Sequence, residues 1–245
     1  VNAPTWRLSR WLLAVLMLIM VQVMAQAQQA QQALSCLLEP SFEARLGSPA
    51  EGRLEEVLVD RSDIVRQGQL LARLNSSVER AALDYQRTRV GFAERRLERS
   101  TDLRASRLIS EQQVDELVTE AELARKELAE REALLGLREI RSPVDGVIVD
   151  RYHNVGDIVH SERVFRLLRL DPLHVELVMP VGLFGSLREG DQRQIRIPHL
   201  REMHTVRVIN VDRVVDPGSN TFRVRLVLPN PDLRIPSGLR CELLG

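Results

Sequence analysis

Lysine is almost missing from this chain: of 34 basic residues all but Lys126 are arginine. The 34 acidic residues balance them to a net charge of zero, which removes the electrostatic footprint expected of a nucleic-acid binder. There are only two cysteines, Cys36 and Cys241, far apart and without metal-site spacing. The histidines, His153, His160, His174, His199 and His204, are scattered, and no tail is rich in His or Met. No HExxH, nucleophile elbow or phosphate loop occurs. Catalysis, metal binding and cofactor chemistry are therefore not expected, and the chain is read as a non-enzyme. Long apolar runs are lacking too. The run from Trp11 to Val23 has 13 residues, against the ~20 needed to span a bilayer.

That run still carries information. Arg7 and Arg10 precede it, and Ala25-Gln26-Ala27 follows as a small-x-small cleavage site, the layout of an export signal. Residues 1–27 are expected to be a signal peptide and residues 28–35, rich in Gln and Ala, a flexible spacer. An uncleaved run would instead tether the chain to the inner membrane. Lipid attachment at Cys36 is a third fate, although Ala33-Leu34-Ser35 sets the large apolar residue one position off the usual pattern. Export leads to an oxidising compartment, where Cys36 and Cys241 either pair across neighbouring strands or stay as buried, small apolar residues.

The most informative feature is an internal repeat. Ser48 to Leu74 and Ser142 to Leu168 match at a constant offset of 94 residues. The first copy reads Ser48-Pro49-Ala50-Glu51-Gly52, then Asp63-Ile64-Val65, then Leu74; the second reads Ser142-Pro143-Val144-Asp145-Gly146, then Asp157-Ile158-Val159, then Leu168. Each copy offers short strands around glycine-containing turns, too few to close a core alone. Two halves that need each other, split by an insertion, imply a chain that folds back and packs them as a two-layer β-sandwich.

Between the copies, Ser76 to Arg138 holds no proline and little glycine, a strongly helical composition. Leu83, Val90 and Leu97 recur every seven residues; Val114, Leu117, Ala121, Ala124 and Leu128 alternate steps of three and four, with Leu135 a heptad further. The pattern weakens at 106–110, where Ser110-Glu111-Gln112-Gln113 reads as a capping box. One helix should end near Arg107 and a second start at Ser110, running antiparallel because the connection is short. A hairpin with one narrow seam is either a spacer or an arm whose exposed faces meet other subunits. Beyond the second copy, Leu173 to Pro180, Gln194 to Ile197, Val206 to Val214, Thr221 to Leu228 and Gly238 to Leu244 read as short strands of a β-barrel.

Together the Ser-Pro-x-x-Gly and Asp-x-Val half-motifs resemble the split biotinyl-lipoyl-like domain of the periplasmic adaptors, or membrane fusion proteins, of tripartite efflux pumps, the HlyD-like family. The resemblance extends through the hairpin to Val215-Asp216-Pro217-Gly218-Ser219-Asn220-Thr221, Pro229 to Asp232 and Pro236-Ser237-Gly238, which look like the family's barrel hairpin. It implies a mainly β, elongated multi-domain chain: a β-barrel from 36–46 and 169–245, a lipoyl-like sandwich from 47–75 and 140–168, and a long α-helical hairpin over 76–139. At the tip, Arg99, Leu103 and Ser110 match the spacing of the family motif that contacts the outer-membrane channel. Read from the residues alone, they are solvated charge, seam packing and a helix cap. In lipoyl and biotinyl domains the cofactor rides on a turn lysine; Lys126 lies in a helix, so none is expected here.

The implied partners are an inner-membrane transporter of the resistance-nodulation-division (RND) type, an outer-membrane channel of the TolC type and further copies in a homo-oligomeric ring. The implied location is the periplasm, against the inner membrane. In the family a membrane-proximal domain follows the barrel; the sequence ends at Gly245, so the barrel is expected to dock on the transporter in its place. The other reading is a periplasmic coiled-coil scaffold or secretion accessory unconnected with drug efflux.

Overall fold

The computed structural model describes residues 33–105 and 108–244; the expected signal peptide and most of the spacer lie outside the described residues. In chain order the elements are β1 (Ser35–Gly47), β2 (Gly52–Val57), β3 (Ile64–Val65), β4 (Leu70–Leu74), α1 (Ser77–Ala105), α2 (Glu111–Gly136), β5 (Glu139–Arg141), β6 (Gly146–Arg151), β7 (Ile158–Val159), β8 (Arg163–Pro180), a 3-10 turn (Val181–Leu183), β9 (Gln192–Ile197), β10 (Glu202–Val211), β11 (Thr221–Leu228) and β12 (Glu242–Leu244). The fold is thus mainly β, interrupted by two long helices. Two compact units form: one is Glu43–Leu168, the other the described residues up to Phe42 together with those from Arg169 onward. The division falls at Glu43 because Ala44 and Leu46 pack into the core of the first unit.

In that unit the sequence repeat becomes an exchange of strands. β2 of the first copy pairs with β7 of the second (Gly52↔Val159, Arg53↔Ile158). β6 of the second copy pairs with β3 of the first (Val65↔Gly146, Ile64↔Val147). Adding the repeat offset to the first-copy partner and subtracting it from the second-copy partner turns one set of pairs into the other. The loops obey the same exchange, with the Ser62 N–H donating to the Ile148 carbonyl at 2.7 Å and the Gly156 N–H to that of Leu54 at 2.8 Å. Local turn chemistry explains the loops. The Asp63 carboxylate accepts from the Asp60 N–H at 2.7 Å and the Asp157 carboxylate from the Asn154 N–H at 2.8 Å, closing like turns. Within them Ser62 has φ 74° where its counterpart Gly156 has φ 97°, the left-handed conformation that glycine accepts at no steric cost.

Both copies fill one core. Leu54, Val65, Leu71 and Leu74 come from the first, and Ile148, Val159, Phe165 and Leu167 from the second. Ser48 and Ser142 are both buried, their hydroxyls donating to the carbonyls of Ala50 and Val144. These bonds pin the Ser-Pro corner that starts each copy.

The other unit is a sheet in the order β12-β9-β10-β11-β8 with β1 on β8. It closes on itself where β1 meets the stretch before β12: the Cys241 N–H donates to the Cys36 carbonyl and the Leu38 N–H to that of Leu239, each at 2.9 Å. Cys36 and Cys241 form a disulfide at this seam, Cα to Cα 4.9 Å. Inside the barrel are Leu173, Val175, Leu177, Ile195, Val224 and Leu226 among others. Asn230 is buried with its amide bonded to the Leu170 and Ile235 carbonyls at 3.0 and 2.9 Å, so a polar group is held inside without loss. The strand expected over Val206–Val214 runs instead from Glu202 to Val211. Its first residues pair with β9 (Glu202↔Ile197), and the chain turns away where the Asp216 carboxylate accepts from the Gly218 and Ser219 N–H groups at 2.8 and 3.1 Å.

Candidate functional site

The candidate site lies at the far end of α1 and α2, so its position depends on what holds those helices together. α1 has 29 residues and α2 has 26, about 44 and about 39 Å at the standard rise. Their seam is narrow: Val90 and Ala93 face Ala121 and Ala124, with Leu97 and Leu128 partly buried beside them. Alanines let the backbones approach closely. In this seam the buried Gln86 donates from Nε2 to the Ala124 carbonyl at 3.1 Å and to Glu127 at 2.9 Å. Outside it, Arg96–Glu120 at 2.9 Å and Arg125–Glu94 at 2.8 Å cross between the helices. Exposed pairs like these add under ~1 kcal/mol each but fix the antiparallel register. At the base, Arg138 donates to Glu79 at 2.6 Å and to the Glu51 carbonyl at 2.5 Å, clamping both helices to the Ser-Pro corner of the first copy.

At the distal end, Ser110 caps α2. Its hydroxyl accepts from the Gln113 N–H at 3.2 Å, and the Gln113 side chain accepts from the Ser110 N–H at 2.9 Å. This is the reciprocal capping box, in which the hydroxyl oxygen serves as the acceptor. Arg104 bonds Glu111 at 3.2 Å across the connection. Arg99 is exposed. It lines a groove of about 440 Å³ together with Arg96 and Ser100 of α1 and Gln113, Leu117 and Glu120 of α2. Ser100 is buried, its hydroxyl turned onto the Leu97 carbonyl at 2.6 Å. Leu103 falls one turn beyond Arg99 on α1; its side chain lies outside the described residues. Arg96 is tied to Glu120, whereas Arg99 has no ion-pair partner among the described residues.

Arg99 and Ser110 therefore share the distal end of the helix pair, and the groove places Gln113 and Leu117 beside Arg99. Gln113 was visible in the sequence only as a capping residue and Leu117 only as a seam residue. Their part in a groove follows from the seam opening near the connection, which heptad counting does not register. Among the described residues no group of His, Cys, Asp and Glu could hold a metal ion. His153, His160 and His204 each lie next to one carboxylate, of Asp157, Glu51 and Glu202. His174, on the barrel wall, has its pKa lowered by burial and by the nearby Arg225. Also among the described residues, no helix is long and apolar enough to cross a membrane.

No protein-family model matches the chain. An uncharacterized protein of Haemophilus influenzae is 29% identical over 215 residues, covering 79% of this chain and 56% of that protein. The chain thus spans little more than half the length of that curated relative. Solved structures resemble it more fully. A MacA–MexA chimera containing the Pseudomonas aeruginosa MexA α-hairpin domain superposes with a TM-score of 0.74 at 16% identity, over 86% of this chain and 78% of the chimera. The membrane fusion protein Spr0693 of Streptococcus pneumoniae R6 gives 0.68 at 17% identity, over 86% of this chain and 97% of that one. The fold is that of the membrane fusion proteins. MacA of Actinobacillus actinomycetemcomitans shares it, with a TM-score of 0.64 at 16% identity over 86% of this chain and 77% of that one. At such identities the likeness is one of membrane fusion protein architecture, and the side chains at the distal groove are this chain's own.

Proposed function

We propose that this chain is a periplasmic adaptor that links an inner-membrane transporter, of the RND type, to an outer-membrane channel of the TolC type in the export of small molecules. The supporting observation is the clamped helix pair: a cut sandwich holds its base through Arg138, its distal end carries the exposed Arg99 and the capping residue Ser110, and Leu103 stands one turn beyond Arg99 in the sequence of α1. A guanidinium and a hydroxyl at an exposed helical turn are suited to carbonyls at the ends of a partner's helices, and a leucine to the groove between them. Coupling between the partners is mechanical, with no bond made or broken by the adaptor. Copies of the chain stand side by side in a ring, the closed arrangement that heterologous contacts generate.

The test is charge reversal at Arg99 together with Leu103→Asp, in cells whose own copy is deleted. Drug susceptibility should rise to that of the deletion, and the channel should no longer copurify, while the purified variants keep the helical signal of the parent. Unchanged resistance with a folded variant would favour the coiled-coil scaffold reading.

A further inference from the structure

The foot of the helix pair holds a polar atom that the fold leaves unsatisfied. The chain leaves β4 at Leu74 and enters α1 at Ser77. Ser76 stands between them at the N-cap, its carbonyl accepting from the Arg80 N–H at 2.9 Å. A capping serine ordinarily turns its hydroxyl onto the N–H groups of the first turn, as Ser110 does at α2. Ser76 does not. The residue is 1% exposed, and among the described residues its Oγ is the one buried side-chain nitrogen or oxygen without a hydrogen-bond partner. Burying a hydroxyl in that way costs stability, so the position calls for a ligand or a reason.

Ser76 lines a cleft of about 330 Å³ whose other walls are Arg73 of β4, Arg80 of α1, Leu135 of α2, Arg138 just before β5 and Glu139 within it. The charges around this cleft are matched except for one. Arg73 pairs with Glu56 at 3.0 Å and lies 3.8 Å from Glu139, Arg141 takes Glu139 at 2.7 Å, and Arg138 takes Glu79 at 2.6 Å. Arg80 is exposed and has no ion-pair partner among the described residues. The first N–H groups of α1 have no acceptor inside their own helix, and they add partial positive charge at the same end. Donors and positive charge are therefore in excess here, and the carboxylate in the wall, Glu139, is already shared by two arginines.

We propose that this cleft binds a phosphate group, with the Ser76 hydroxyl, the Arg80 guanidinium and the opening turn of α1 as its donors. A helix N-terminus joined by guanidiniums suits a tetrahedral, multiply charged oxyanion. An apolar or cationic ligand would leave both Ser76 and Arg80 unmet. The bound group joins the start of α1 to the foot of α2 beside the Arg138 clamp, and so stiffens the joint between helices and sandwich. A free phosphate ion, a soluble monoester and a lipid headgroup share this chemistry. The cleft stands at the other end of the helices from the distal groove, and it does not depend on what that groove binds.

The test titrates inorganic phosphate into the purified full chain, at constant ionic strength made up with chloride, and reads binding by calorimetry and by the melting midpoint of the helical signal. Phosphate should bind saturably and raise the midpoint where chloride does not. Arg80→Gln should weaken binding about tenfold, and Arg80→Lys should weaken it less, since lysine keeps the charge and loses the fork. Ser76→Ala should also weaken it, yet without phosphate it should leave the midpoint unchanged or higher, because no bond of the hydroxyl is lost. Vesicles bearing phosphatidic acid, set against glycerol phosphate at the same concentration, assign the source: a rise with the vesicles alone marks a headgroup, and a rise with glycerol phosphate marks a soluble ligand. The proposal is overturned if phosphate gives neither saturable binding nor a raised midpoint, if chloride raises it as far, or if the Arg80 and Ser76 variants bind phosphate as the parent does. It is overturned too if Ser76→Ala lowers the midpoint equally with and without phosphate, which would assign the hydroxyl to the fold.

Discussion

Ser110 caps α2 and, in the proposed function, also docks on the channel, and substitutions can separate the two roles. Removing the cap with Ser110→Ala should cost about 1 kcal/mol, read as a lower melting point of the helical signal. Ser110→Asp should keep that stability, since aspartate is as good a cap, yet lose channel binding because it has no hydroxyl hydrogen to donate. If Ser110→Asp retains binding, the hydroxyl is only a cap. Titration offers a second test at this scale. His174 resists protonation because it is partly buried and near Arg225, so its folded pKa lies below the ordinary 6.5. Between those two values the unfolded chain binds more protons, and stability must rise with pH through that window. Denaturation followed from pH 5 to 7 should show a steeper rise for the parent than for His174→Gln; equal slopes would contradict the assignment. The cap could be read in the sequence because a serine three residues before a glutamine is local. The groove beside Arg99 could not, since it needs both helices in place.

The same contrast holds for elements. The turns of the repeat follow from Asp63, Asp157 and the Ser-Pro corners, all chemistry within four residues. That β2 would join β7 and β3 would join β6 does not follow from local pattern, because pairing register between strands nearly a hundred residues apart is set only when both copies share a core. Gly52 and Gly146 occupy the same repeat position but different surroundings. A Cβ on Gly146 would meet the Leu168 backbone carbonyl oxygen at 2.4 Å, whereas one on Gly52 would meet the side-chain ends of Leu74 and Arg138 at 2.9 and 3.0 Å. Backbone cannot swing aside as a side chain can. Gly146→Ala should therefore cost at least about 2 kcal/mol and Gly52→Ala about 1 or less, compared by urea midpoints of the two variants. Equal costs would mean that the sandwich relaxes around either copy.

Across the whole molecule, the barrel was legible as a series of short strands, and its closure only as one of the two fates open to Cys36 and Cys241, because the closing contact joins β1 to the stretch before β12. The Cys36–Cys241 disulfide spans 205 residues at that contact. Loop entropy over such a span gives it about 5 kcal/mol at most, with 2–4 typical, so Cys36→Ala with Cys241→Ala should lower barrel stability by that order while leaving the helical signal in place. Proteolysis near the last strand would report the opening. The adaptor reading itself rests on the distal end of the helices. Its most direct test is a photo-crosslinking amino acid at Arg99 in whole cells, with products identified by mass spectrometry. The account predicts one dominant adduct, an outer-membrane channel, formed at 99 and absent when the probe sits on the barrel wall at His174; adducts confined to inner-membrane or soluble proteins would contradict it.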